Sequence, residues 1–228
     1  MKIGILQTGR APDEMVDSQG DYDQLFAVYL DGRGFTFETF AVLDGDFPNG
    51  PHDADGWLIT GSRHGAYEDH AWIPPLEEFL RSAYAAEVPI VGVCFGHQIL
   101  AQALGGTVEK FAGGWSVGPQ EYRSDIFGAQ RLVAWHQDQV TAVPAEAEVV
   151  GSSDFCSNAI LRYGNKALTV QPHPEFSPEF MYGLLKARGH VLPDDVQTAV
   201  ANSDPTGLTR DGFGDAIEQF FRTAQPAA

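Results

Sequence analysis

Gly92-Val93-Cys94-Phe95-Gly96-His97-Gln98 is the stretch on which the reading of this chain turns. The apolar run 89–93 enters it as a short buried strand, and residues 96–104 read as the helix behind it. A strand that breaks at G-x-C-x-G into a helix is a nucleophile elbow with Cys in the place of Ser. Small residues two before and two after the cysteine permit the strained turn that holds its side chain clear of the backbone. A thiol at a helix N-terminus also feels the positive end of the helix dipole, which favours the reactive thiolate. A cysteine after a strand is otherwise most simply a core thiol, and the flanking glycines and helix start argue against that here. Cys156, in Asp154-Phe155-Cys156-Ser157-Asn158, lacks such a setting and reads as an inert packing residue.

Upstream of the elbow, residues 2–7 read as a buried strand and 22–30 as a helix with Leu25, Phe26 and Tyr29 on one side. Residues 35–42 form a second strand, and 56–60 a third that ends in the turn Gly61-Ser62. Residues 74–86 carry Pro early and Leu76, Phe79, Leu80 and Tyr84 at helical spacing. This β-α-β-α order predicts an α/β fold, a mostly parallel central sheet with helices on both faces. Downstream, Gly-punctuated strands at 107–110, 117–122, 131–134, 148–151, 159–163 and 167–171 add a small further β segment. Helical stretches near 178–187, 195–201 and 213–223 follow, then a weak tail, Gln225-Pro226-Ala227-Ala228. With no repeat and no linker, residues 1–228 read as a single domain. Ligands of open α/β sheets sit beyond the carboxyl ends of the strands, which singles out the residues after Thr60, Val93 and Gln171.

A cysteine nucleophile needs a base, and the base needs a group to hold its tautomer. Among seven histidines, His52, His64, His70 and His190 lie in polar loop sequence and are most simply solvated. His97, on the elbow helix itself, should point away from the thiol. His173 stands in Gln171-Pro172-His173-Pro174-Glu175, directly after the apolar run 167–170. Proline on both sides holds this segment extended, so Glu175 projects to the same side as His173 and can reach its ring. A Cys-His-Glu triad results if the two strand ends are neighbours.

Composition narrows the partners. With 14 Lys+Arg against 31 Asp+Glu the net charge is −17, which argues against nucleic acid or an anionic membrane surface. Eleven acids and one base, Arg33, fall between residues 11 and 55, a stretch that reads as a solvated face. It contains no Asp-x-Asp-x-Asp-Gly loop, and no metal site is expected. Apolar residues at 43% and aromatics at 11% suffice for a core. Two cysteines make no disulfide framework, and neither a signal peptide nor an 18-residue apolar run is legible, so a cytoplasmic, non-membrane protein is expected.

Gly92 to Gln98 and His173 to Glu175 together resemble the class I glutamine amidotransferase family, whose elbow is G-x-C-x-G-x-Q and whose triplet is H-P-E. The resemblance extends to Leu58-Ile59-Thr60-Gly61-Ser62 and to Trp135-His136-Gln137-Asp138. Trp72 to Phe79 and Gly113 to Trp115 are similar to the stand-alone, GMP synthase-like branch. The resemblance implies a flavodoxin-like fold with Cys94 as nucleophile, His173 as general base and acid, and Glu175 as its orienter. It implies an oxyanion hole from the N–H groups of Gly61 and Phe95, and substrate contacts from Ser62, Gln98, His136 and Gln137. It implies cleavage of the γ-amide of glutamine or a γ-glutamyl compound through a thioester, with no cofactor. Pro172 is a departure, since many members carry Phe or another residue there; it presents His173 without a backbone donor beside it. A dienelactone-hydrolase-like protein shares G-x-C-x-G but separates its acid from its His. Three outcomes stay open: an independent γ-glutamyl hydrolase like the plant γ-glutamyl peptidases, a glutaminase subunit passing ammonia to a separate synthase, and an idle regulatory subunit. No ATP-binding G-x-x-x-x-G-K-[ST] loop is present to make a synthetase of the chain alone.

Overall fold

In the computed structural model, residues 1–224 are described, and the tail Gln225-Pro226-Ala227-Ala228 lies outside them. The first half alternates strand and helix: β1 (Lys2–Leu6), α1 (Asp13–Gln19), α2 (Tyr22–Tyr29), β2 (Thr36–Phe40), β3 (Gly56–Ile59), α3 (Ile73–Ala85), β4 (Ile90–Val93) and α4 (Phe95–Ala103). Seven strands follow: β5 (Thr107–Lys110), β6 (Ser116–Ser124), β7 (Gly128–His136), β8 (Asp138–Ala142), β9 (Glu148–Ser152), β10 (Ile160–Tyr163) and β11 (Ala167–Val170). Helices α5 (Pro178–Arg188), α6 (Asp194–Ala201) and α7 (Arg210–Thr223) end the described chain.

Side chains alternate across a strand, and the central strands are apolar on both sides for that reason. On β3, Trp57 and Ile59 join one hydrophobic cluster while Leu58 joins the other. On β4, Ile90 faces the first cluster, and Val91 and Val93 the second. Leu76 and Leu80 of α3 and Ile99 and Leu100 of α4 cover the first face. Phe26 of α2 and Phe213, Ile217 and Phe221 of α7 cover the second. Helix α4 is buried nearly throughout, and its buried polar residues His97 and Gln98 are hydrogen-bonded rather than solvated.

The nine strands of the main sheet run in the order β2-β1-β3-β4-β11-β10-β9-β6-β7. Its first five pair in parallel, in the flavodoxin-like order, as the β-α-β-α reading predicts. The added β segment is a four-stranded antiparallel extension of this sheet, and β5 and β8 form a separate ribbon. The longest pairing is the β6–β7 hairpin, in register from Ser116↔His136 to Ser124↔Gly128. One α-helix and one strand escaped the sequence reading. Helix α1 is seven residues long and buries only Met15, too little for a periodicity to show. Strand β8 begins one residue after β7 with no Gly or Pro between them, so the change of sheet at Gln137 is unmarked.

The acidic stretch 11–55 is exposed over most of its carboxylates, with Asp21 as the exception. Asp21 is buried, caps α2 in a reciprocal box with Gln24, and accepts from Gln7 Nε2 and the Ala11 N–H. It ties the loop after β1 to α2, which is structural work that a charge count cannot distinguish from solvation. No helix among the described residues is long and apolar enough to cross a membrane.

Candidate active site

Cys94 sits where β4 passes into α4, with φ 52° and ψ −103°, backbone that a non-glycine residue rarely adopts. The turn is held from both sides: Cys94 N donates to Val170 O at 2.8 Å, and Gln98 N donates to Cys94 O at 3.1 Å. A Cβ at Gly92 would lie 2.5 Å from Gly96 O, and one at Gly96 would lie 2.5 Å from Ile59 O. Both glycines of the motif are therefore demanded by close backbone packing. Among the described residues, no partner takes the Phe95 N–H, the first of the helix.

His173 arrives by register. β11 pairs in parallel with β4, Val170 opposite Val93, so both chains leave the sheet side by side. Gln171 N then donates to Ala159 O and His173 N to Val133 O, both at 2.8 Å. Pro172 falls between these two bonds, where no donor is needed. His173 Nδ1 is 2.6 Å from Glu175 Oε1, and the ring stacks on Phe176 at 4.0 Å with a 6° tilt and lies near enough to Cys94 to interact with its charge. His173 and Glu175 are 4% and 3% exposed, so little water competes for them. Burial alone would push the imidazole down, but the charges of Glu175 and Cys94 outweigh it and hold its pKa at about 10. Arg210, at the start of α7, donates to Pro174 O at 3.0 Å and Glu175 O at 2.9 Å.

Gly61 closes the third side. A Cβ there would lie 2.9 Å from His173 Cε1 and 3.7 Å from Cys94 Cβ, so no side chain fits. The Thr8 hydroxyl bonds to Thr60 O at 2.9 Å and is 3.2 Å from Gly61 O. In a trans peptide the N–H opposes the C=O, so tying Thr60 O to Thr8 turns the Gly61 N–H away from Thr8. That N–H has no partner among the described residues.

Cys94 and His173 open onto a cavity of about 500 Å³ that Ser62, Gln98, His136 and Gln137 also line. Gln98 spends both amide hydrogens, on Asp138 O at 2.9 Å and Gln171 Oε1 at 3.1 Å, which leaves Oε1 for a ligand. His136 Nδ1 lies 3.2 Å from Asp138 O, and burial pushes its pKa down to about 3, so the ring is neutral. Gln137 bonds through its side chain to Phe111 O. Ser62 Oγ accepts from His64 N. His97 turns to Thr169 Oγ1 at 2.8 Å, and burial likewise lowers its pKa to about 3. Cys156 is buried, its thiol pushed up to about 12 by desolvation.

Sequence reasoning missed Thr8, Tyr22 and Arg210, which reach the site from across the fold, Tyr22 lining the cavity and packing on Phe176, and it missed Phe176 itself, which stacks on His173. It also read His64 and His70 as solvated. They are half-buried against Trp72, with rings 4.2 Å apart and both nitrogens directed at Glu68. The spacing His64-x₃-Glu68-x-His70 was the signal that could have found them.

Fold and site together define a flavodoxin-like α/β protein with a cysteine elbow facing a buried His–Glu pair. The chain belongs to the class I glutamine amidotransferase family, whose description "Glutamine amidotransferase class-I" it matches over residues 15–183. It is 27% identical over 226 residues to γ-glutamyl peptidase 4 of Arabidopsis thaliana, covering 91% of this chain and 90% of that one. It is 35% identical to a glutamine amidotransferase-like protein of Schizosaccharomyces pombe, covering 81% and 83%. A glutamine-hydrolysing GMP synthase subunit of Methanopyrus kandleri is 30% identical, with 78% of this chain and 98% of that one covered. A glutamine amido transferase structure from Methylobacillus flagellatus superposes with TM-score 0.79 at 19% identity, over 100% of this chain and 96% of that one, and shares the fold.

Proposed function

We propose that this protein cleaves the γ-amide bond of a γ-glutamyl compound by way of a γ-glutamyl thioester on Cys94. The observation that carries the reading is the buried His173–Glu175 pair set beside Cys94, with Cys94 and His173 both lining one cavity. His173, held as imidazolium by Glu175, leaves Cys94 its electron pair for attack on the γ-carbonyl. The C–S bond forms as the carbonyl π pair moves to oxygen, where the Gly61 and Phe95 N–H groups receive it. Each such donor is worth ~3–4 kcal/mol to the transition state. The C–N bond then breaks, and the His173 proton passes to the leaving amine. Neutral His173 next takes a proton from water, which adds to the thioester and expels Cys94, leaving glutamate. Each step uses the chain's own groups, with no cofactor called on. Gln98 Oε1 and the backbone near His136 and Gln137 receive the glutamyl end, with Ser62 beside them.

Support for a leaving group larger than ammonia comes from the cavity. Its ~500 Å³ falls in the range that holds drug-sized ligands. Trp115, Trp135 and Leu184 contribute apolar surface to it, and Arg63, Lys110 and Arg188 beside Glu68 and Asp138 give it a mixed-charge lining that can receive the amino and carboxyl groups of a second residue. Similarity to the Methanopyrus GMP synthase subunit favours a second reading, in which water cleaves glutamine and the ammonia passes to a separate synthase. Glutamate release measured on glutamine and on γ-glutamyl dipeptides, beside Cys94→Ala, separates them. Robust Cys94-dependent dipeptide turnover supports the hydrolase. Weak glutaminase activity alone supports the ammonia-supplying role, and release independent of Cys94 defeats both.

A further inference from the structure

The loop between β3 and α3 carries more than Gly61. His64 Nδ1 lies 3.4 Å from Glu68 Oε2, and His70 Nε2 lies 2.8 Å from the same oxygen. One nitrogen from each ring and one carboxylate oxygen fall within 4.8 Å of one another. We propose that His64, Glu68 and His70 form a binding site for a divalent transition ion of the zinc class.

The donor set is the first argument. Two imidazoles and one carboxylate suit Zn²⁺ and its neighbours, and are a poor match for Mg²⁺ or Ca²⁺, which prefer all-oxygen shells. Distances are the second. With metal–ligand bonds of ~2.0–2.2 Å at tetrahedral angles, donors stand roughly 3.4 Å apart. The His64–Glu68 separation already has this value, and the His70–Glu68 pair needs to open by about half an ångström, which side-chain rotation supplies.

Competition is the third. Among the described residues, no Lys or Arg forms an ion pair with Glu68, and the two imidazoles are what its carboxylate meets. The two imidazoles lie ring to ring at 4.2 Å, both within reach of one Glu68 oxygen. The segment is also organised in advance: Glu68 N donates to Gly65 O, His70 N to Glu68 O, and the His70 ring stacks on Trp72.

Three protein ligands leave a fourth tetrahedral position for water or a ligand oxygen. His64 and Glu68 line the same cavity as Cys94, so the bound ion puts positive charge at the rim of that cavity. It acts as a modulating ligand of the loop that begins at Gly61, outside the thiolate chemistry.

The test uses full-length Cys94→Ala protein, so that the Cys94–His173 pair cannot bind the probe and the outcome does not depend on catalysis. Zn²⁺ is titrated calorimetrically, and Co²⁺ is followed by its visible spectrum and by quenching of tryptophan fluorescence, Trp72 being the near reporter. The expected result is 1:1 binding with tetrahedral Co²⁺ absorption, weakened at least about tenfold by His64→Ala, by His70→Ala and by Glu68→Gln. Glu68→Gln is nearly isosteric and keeps the test valid if a histidine variant folds poorly. Absence of 1:1 binding, or binding of equal strength in Glu68→Gln and a folded histidine variant, overturns the proposal.

Discussion

Replacing Glu175 by Gln changes one oxygen for an NH₂ and removes a buried charge 2.6 Å from His173 Nδ1. Two effects follow. The amide can keep its carbonyl oxygen on Nδ1 only by placing its NH₂ where Glu175 Oε2 now stands, a buried position with no partner among the described residues. An NH₂ stranded there costs about 1–3 kcal/mol, so the amide flips and donates to Nδ1, moving the ring proton to the nitrogen facing Cys94. That tautomer cannot act as a base. Loss of the wrong-tautomer kind lowers kcat by ~10⁴, about 5 kcal/mol, in the serine-protease precedent. The second effect is on protonation. With the carboxylate gone, the His173 pKa falls from its value of about 10, because the main charge that raised it is lost while burial still opposes the cation. Glutamate release from a γ-glutamyl dipeptide, followed across the neutral and alkaline range, should show kcat/KM down by ~10³–10⁴ with the alkaline limb displaced to lower pH. Glu175→Asp, which keeps the charge, should keep the limb near its original place. A Glu175→Gln enzyme within about tenfold of the parent, its alkaline limb unmoved, would refute the reasoning.

The remaining predictions concern the surroundings. Gly61→Ala puts a Cβ 2.9 Å from His173 Cε1, and should cost ~10²-fold or more in kcat while the denaturation midpoint moves little. Arg210→Ala releases Pro174 O and Glu175 O; a loss of ~1–3 kcal/mol in urea unfolding and a lower kcat, partly restored by Lys, are expected. His173 has its folded pKa raised from 6.5 to about 10, so its stabilising effect is complete below pH 6.5 and lost as pH rises through 10. The midpoint difference between the parent and His173→Gln should accordingly shrink across that window. Native protein treated with iodoacetamide should be alkylated at Cys94 and spared at Cys156, whose thiol is buried and raised to about 12; equal labelling by mass spectrometry counts against the site.

What the sequence made legible was local. The elbow shows because Gly92, Cys94 and Gly96 satisfy one turn within five residues, and His173 with Glu175 because extended chain fixes an i, i+2 pair. The parallel half of the sheet was equally readable, each strand being a short apolar run with a helix after it. Contacts made across the fold left no such trace. Thr8 orients the Gly61 loop from 52 and 53 residues away, and Arg210 supports the triplet from 35 and 36. Neither stands in a pattern that points to its partner. Asp21 vanished into a run of solvated acids, and β8 into the end of β7, because charge and polarity alone do not report which side chains the tertiary structure buries.

The adjacency of β4 and β11 has a consequence in time. These neighbours are separated by residues 94–166, which must fold out as α4 and six further strands before β11 can take its place. During synthesis at ~5–20 residues per second, the 79 residues between Cys94 and His173 take roughly 4–16 s to appear. For that interval the nascent chain carries the elbow cysteine without the histidine proposed as its base. Insertion of β11 is a long-range closure against chain entropy, the slow kind of step in folding. Under the proposed mechanism, the thiol therefore meets its base through the same event that completes the central sheet.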